Sequence, residues 1–144
     1  MAVDESALLD LFATARLGVL IAIKRDGRPQ SSIVTHVWEP ATRTVRISLT
    51  EGRAKTSNLR RDPRASYQVM TPDLRAYAVG EGRAELSPVA SDPGDATVDA
   101  LVSYYRQAAG EHPNYDEYRA AMVEDGRLIL SLRLDHIYGY RAER

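Results

Sequence analysis

The 144 residues carry 19 basic and 20 acidic side chains, a net charge of -1, with 44% hydrophobic and 27% charged residues. This is the composition of one ordinary globular domain with enough apolar material for its own core, and the charge balance argues against a dedicated nucleic-acid binder. The absence of cysteine excludes disulfides, thiolate zinc sites and a cysteine nucleophile.

Met1 to Glu5 has no basic region leading into an apolar stretch, so it does not read as a signal peptide. The longest apolar run, Leu17 to Ile23, is far too short to span a bilayer. The expectation is a soluble cytoplasmic protein.

In chain order, Leu8, Leu11, Phe12 and Ala15 recur at helical spacing, with Asp4 or Ser6 as the N-cap. Gly18 to Ile23 is rich in branched residues, and Asp26-Gly27 between it and the next apolar run, about Gln30 to Trp38, signals a hairpin. Val45, Ile47 and Leu49 alternate with polar neighbours as a third strand. A short helix spans about Ala54 to Arg61 and stops before Pro63. Strands follow at about Ala65 to Met70 and Arg75 to Leu86, with Gly80 and Gly82 marking a bulge or a close backbone approach. Asp92-Pro93 opens a helix carrying Val98, Leu101, Val102 and Tyr105 on one face. Asn114 and Glu117 have capping-box spacing for another helix. Leu128 to Leu134 alternates, and Ile137 to Tyr140 closes the chain. Consecutive strands with short turns, and no βαβ alternation, predict an α+β, mainly β fold whose antiparallel sheet closes into a small barrel.

The most informative stretch for chemistry is Glu51 to Arg64. Its cations sit where a strand runs into a helix N-terminus, a place where backbone N–H groups also favour an anion. Arg offers a planar fork and Lys a point charge, and Thr56, Ser57 and Asn58 add neutral donors. A solvated, charged helix face gives the same pattern, so the residues alone leave both readings open. His36, His112 and His136 have no zinc-ligand spacing partner; His36, beside Trp38 in a strand, reads as structural. Asp4-Glu5, Asp116-Glu117 and Glu124-Asp125 read as caps and solvated charge. Tyr104, Tyr105, Tyr115 and Tyr118 read as helix packing, and Tyr77 as core packing or as a ring on which a cofactor stacks. No residue presents itself as an obligatory acid or base.

Leu17-Gly18-Val19-Leu20, Asp26-Gly27-Arg28-Pro29-Gln30-Ser31-Ser32, the run from Gly52 to Ser66, Tyr77-Ala78-Val79, Glu81-Gly82, Gly110-Glu111-His112 and Tyr118-Arg119-Ala120-Ala121-Met122-Val123 are specific in this order. Together they resemble the pyridoxamine 5′-phosphate oxidase-like split β-barrel superfamily, and within it the actinobacterial flavin/deazaflavin oxidoreductases of the B group, which use coenzyme F420. The resemblance implies a six-stranded antiparallel split β-barrel with flanking helices. It also implies a homodimer with cofactor sites at the subunit interface, a small-molecule substrate, and no nucleic-acid or membrane partner. The Arg-x-Lys element, here Arg53, Ala54 and Lys55, is implied to bind the cofactor phosphate, with Thr56, Asn58, Leu59 and Arg60 nearby and Ser48 in reach. Gln30, Ser31 and Ser32 would border the ring and Tyr77 would frame it. Arg60, Arg61 or Arg75 would meet the polyglutamate tail. The implied activity is hydride transfer from reduced F420. The alternatives are an FMN oxidoreductase on the same fold and a non-catalytic F420- or haem-binding protein. Pyridoxamine phosphate oxidases proper carry further substrate-phosphate residues in a longer C-terminal region; with none after Tyr138-Gly139-Tyr140 in this sequence, vitamin B6 chemistry is not the expectation.

Overall fold

The computed structural model describes residues 4–142; Met1 to Val3, on which part of the signal-peptide reading rests, lie outside the described residues. Helix α1 (Glu5–Thr14) is capped by Asp4, whose carboxylate accepts the Ser6 N–H. β1 (Leu17–Ile23) and β2 (Pro29–Thr35) form the expected hairpin, with Gly27 at φ 86° in its turn, a conformation that glycine adopts without strain.

The run that the sequence presents as one strand to Trp38 is broken. The His36 N–H leaves the ladder for the Arg16 carbonyl at 3.1 Å, and β3 (Val37–Glu39) resumes on the other side of the sheet against β4 (Thr44–Thr50). The break lets one chain segment serve both ends of the sheet.

Helix α2 (Ala54–Arg61) falls where the sequence places it, followed by β5 (Arg64–Met70) and β6 (Ala76–Leu86). Helix α3 (Ala96–Ala109) begins later than expected: its N-cap is Asp95, not Asp92, and Pro93 stays outside the helix. The reason is the fit of one carboxylate. Asp95 accepts N–H groups from Val98, Ser91 and Asp92 at 2.8–3.1 Å, which closes the Ser91–Asp95 turn and starts the helix together. Asp95→Ala is therefore expected to cost about 1–2 kcal/mol, read as a melting temperature lower by about 4 °C.

Helix α4 (Tyr115–Glu124) is capped by Asn114, which accepts the Glu117 N–H at 3.2 Å. β7 (Arg127–Arg133) and β8 (His136–Arg141) complete the chain.

The eight strands form one antiparallel sheet in the order β2-β1-β5-β6-β7-β4-β3, with β8 also paired to β6. That is a larger sheet than the six strands expected, because the long second run splits and the C-terminal segment supplies a full strand. β6 makes the curl. Its first half lies between β5 and β8, and its second half reaches β7 through Ala84 to Leu86. At the crossover the backbone of Gly82 passes so close to Arg133 that an added Cβ would sit 2.0 Å from the Arg133 carbonyl oxygen. Strand alternation fills the interior with Leu20, Val45, Ile47, Leu49, Tyr67, Val69, Leu128, Leu130 and Leu132, sealed by Leu8, Leu11 and Phe12 of α1. A second cluster, including Val98, Leu101, Val102, Tyr118 and Ile129, seats α3 and α4 on the sheet. No described helix is long and apolar enough to cross a membrane.

Candidate functional site

β2 and β4 belong to opposite ends of the sheet path and share no ladder. Where they face one another the barrel stays split, and a cavity of about 450 Å³ opens. Val34 and Thr35 of β2, Ser48, Leu49 and Thr50 of β4, and Arg53 and Lys55 at the start of α2 line it. Tyr104 and Tyr105 of α3 and Tyr118 and Met122 of α4 form its roof. Arg127, the first residue of β7, completes the lining.

The cavity is electrostatically one-sided. Three cations line it and no Asp or Glu does, and among the described residues none of the three is in an ion pair. Arg53 is the N-cap residue of α2 and gives no side-chain cap, so the helix's first N–H groups add to the positive end. Arg127 reaches Ser48 Oγ only at 3.4 Å, and its Nε is buried without a hydrogen-bond partner. A buried donor left unmet costs about 1–3 kcal/mol. A flexible arginine tolerates that cost where an anion belongs against it, and a phosphate oxygen is the matching acceptor.

Arg127 escapes sequence reasoning because its role depends on register. β4 and β7 pair so that Thr50 faces Arg127, and the Glu51 N–H donates to the Gly126 carbonyl at 2.9 Å. That places Arg127 beside the loop leading to Arg53 and Lys55. The only linear hint is the Asp125-Gly126 turn just before it. From the sequence, Tyr104, Tyr105 and Tyr118 read as helix packing, not as a cavity wall. The Tyr118 hydroxyl donates to the Leu101 carbonyl at 2.9 Å, and burial, then the neighbouring Tyr104, pushes it up to about 12.

The other sequence candidates divide. Ser48, Arg53 and Lys55 come together in the cavity. Asn58 donates to the Gln30 amide oxygen at 2.6 Å, tying α2 to β2. Ser32, on the same face of β2 as Gln30 and Val34, is half-buried, and its hydroxyl is unpartnered. Thr56 is buried with its hydroxyl on the Thr50 carbonyl at 2.8 Å, and Leu59 is core; both hold α2 in place, and neither side chain lines the cavity. Ala54 is exposed in the first turn of α2. Arg60 is turned to Glu51, and Arg61 to the Ile23 carbonyl and Asn58.

Ser31 and Tyr77 lie elsewhere, on the outer face of the sheet. By alternation and register that face also carries Leu17, Ile33, Met70, Tyr138 and Tyr140, with Ile33 76% and Leu17 57% exposed.

A family model for pyridoxamine 5′-phosphate oxidase matches residues 5–140. Among solved structures, the chain is similar to an F420 reductase, with 23% identity, a TM-score of 0.70, and coverage of 94% of this chain and 98% of that one. It is similar to an FAD-binding protein from Mesorhizobium loti, with 17% identity, a TM-score of 0.68, and coverage of 99% and 98%. It is also similar to a heme binding protein from Mycobacterium smegmatis, with 18% identity and a TM-score of 0.70, covering all of this chain and 57% of that one. At these identities the likeness shows the fold, an antiparallel split barrel with flanking helices, while the match along nearly the whole chain shows the family. The chain belongs to the pyridoxamine 5′-phosphate oxidase family.

Proposed function

We propose that the cavity between β2 and β4 holds the phosphate of coenzyme F420 and that the protein is an F420H2-dependent reductase. The observation that carries this reading is the uncompensated cation set Arg53, Lys55 and Arg127 around Ser48 in the slit. Such a set calls for an anionic ligand, and the donors suit a phosphate group.

Bound F420H2 supplies a hydride to an electron-poor double bond, as in an enone, lactone, quinone or tetrapyrrole such as biliverdin. The protein's part is placement. Lys55 and Arg127 neutralise the phosphate, Ser48 donates a neutral hydrogen bond, and Gln30 and Ser32 border the ring from β2. Tyr104 and Tyr118 keep water from the roof. The outer face with Leu17, Ile33, Tyr77 and Tyr140 is then covered by a second copy of the chain, which brings Ser31 and Tyr77 to the subunit interface. An exposed apolar surface of that breadth is unusual on a monomer.

Supporting relatives with this fold include an F420 reductase. FMN also carries a phosphate for the same cations, and the FAD-binding relative favours keeping a flavin as the second reading. Turnover is tested by following oxidation of F420H2 with a panel of enone, quinone and biliverdin acceptors. Acceptor-dependent oxidation is the expected result. Binding with no oxidation on any acceptor would move the protein to a non-catalytic carrier.

A further inference from the structure

His36 sits where the chain crosses from β2 to β3, buried, with both ring nitrogens engaged. Nε2 lies 2.9 Å from the Phe12 carbonyl, which can only accept, so Nε2 carries the proton. Nδ1 is then the acceptor, and the Tyr67 hydroxyl donates to it at 2.6 Å. The geometry thus fixes one neutral tautomer. Each bond has a purpose in the fold. Phe12 lies in the last turn of α1, where carbonyls lack helical partners, and His36 satisfies one of them. Tyr67 is fully buried, and its hydroxyl has room only because residue 18 is glycine: a Cβ there would sit 2.3 Å from Tyr67 Cζ.

The pair adjoins the cavity wall. Thr35, the residue before His36, lines the cofactor cavity, and its carbonyl accepts the Tyr104 hydroxyl at 3.1 Å. The titratable and charged neighbours are Arg16 of the α1–β1 connection, whose backbone carbonyl accepts the His36 N–H, Tyr67 of β5 and, through the Thr35 carbonyl, Tyr104 of α3. The Arg16 guanidinium is turned away to the Ala108 carbonyl at 2.7 Å. Among the described residues no carboxylate pairs with the imidazole.

We propose that His36 is a positioning residue of the cofactor cavity: its neutral imidazole ties α1 to Tyr67, and thereby fixes Thr35 and the Tyr104 ring it anchors. This rests on the cavity being the cofactor site. Protonation would place a second N–H against the Tyr67 hydroxyl, which would have to reverse and give up Nδ1 as its acceptor. Burial pushes the imidazole below its ordinary value, and the Phe12 carbonyl opposes this only in part. The unfolded chain takes the proton first. The stability His36 contributes is therefore present above the ordinary 6.5 and is lost as the pH falls from there to the folded value.

The test is fluorine NMR on the full chain carrying 3-fluorotyrosine without cofactor, with Tyr67 and Tyr104 assigned by single Phe variants, titrated from about pH 8 to about pH 5. The Tyr67 and Tyr104 resonances are expected to shift together, with a midpoint below that of free histidine. In His36→Gln, whose amide can donate to Phe12 and accept from Tyr67 but cannot take a proton, neither is expected to shift. Tyr67→Phe, a milder change, is expected to displace the Tyr104 midpoint. A Tyr104 resonance that stays fixed while Tyr67 moves, or a shift that persists in His36→Gln, would overturn the proposal. F420 affinity, measured in parallel, is expected to fall by roughly tenfold across the same transition in the parent and to stay flat in His36→Gln. A coupled Tyr104 shift with no F420 binding at any pH would sink the cofactor reading instead.

Discussion

Gly82→Ala is expected to disrupt the fold more than any other single methyl added to a glycine at the curl of the sheet. The new Cβ would meet the Arg133 carbonyl oxygen at 2.0 Å, and Leu132 Cδ1 lies at 3.3 Å. A flexible side chain could swing away from such a clash, but the carbonyl belongs to the end of β7, where the next residues must turn into β8. Relief would need the crossing of β6 over β7 to open, and with it the pairing of Ala84 to Leu86. Overpacking of this kind costs about 3 kcal/mol or more, or roughly 10 °C in melting temperature for a chain of this size. Gly94→Ala is the matched control. Its Cβ comes no closer than 3.4 Å to Asp92 Oδ1, and a change within about 0.5 kcal/mol is expected. Thermal melts of the two variants check the pair. Equal melting temperatures would mean that the close approach at Gly82 is not what shapes the sheet.

The second large effect is on binding. Lys55→Ala is expected to weaken cofactor affinity by about 10–100-fold, the range of one lost charge-assisted hydrogen bond, with little change in melting temperature. Arg127→Met should separate binding from stability more sharply. It keeps an unbranched stem at the first residue of β7 and removes the guanidinium. Affinity should fall as in Lys55→Ala, while the cofactor-free protein should be as stable as the parent or slightly more so, because the buried Nε without a partner is gone. Calorimetric titration and a melt on each variant check this. Arg127→Met that binds as the parent does would remove Arg127 from the site.

These residues also show what was readable from the chain. Elements with strong local signals were placed well: the Asp26-Gly27 hairpin, α2 ending before Pro63, and the Asn114 cap all follow from chemistry within a few residues. The split of the second strand at His36 was not legible, because it depends on a carbonyl of Arg16 and on which sheet end each half joins. Asp92 and Asp95 are both fair caps by type, and only the number of N–H groups each carboxylate can reach distinguishes them. At the site, Arg53 and Lys55 were found through the resemblance of their segment to known cofactor binders. Thr56 and Leu59 of the same segment face inward, as the turn of an amphipathic helix requires. Arg127 and the tyrosine roof are distant in sequence and meet the loop only through the β4–β7 register and the seating of α3 and α4.

On the function proposed above, the slit lined by Ser48, Arg53, Lys55 and Arg127 would hold coenzyme F420. The most direct measurement is a titration of the purified cofactor-free protein with F420 and, separately, with FMN, following heat or the emission of Trp38, the only tryptophan. Saturable F420 binding is expected, clearly tighter than that of FMN and weakened in Lys55→Ala. Tighter binding of FMN, or binding of neither, would contradict it.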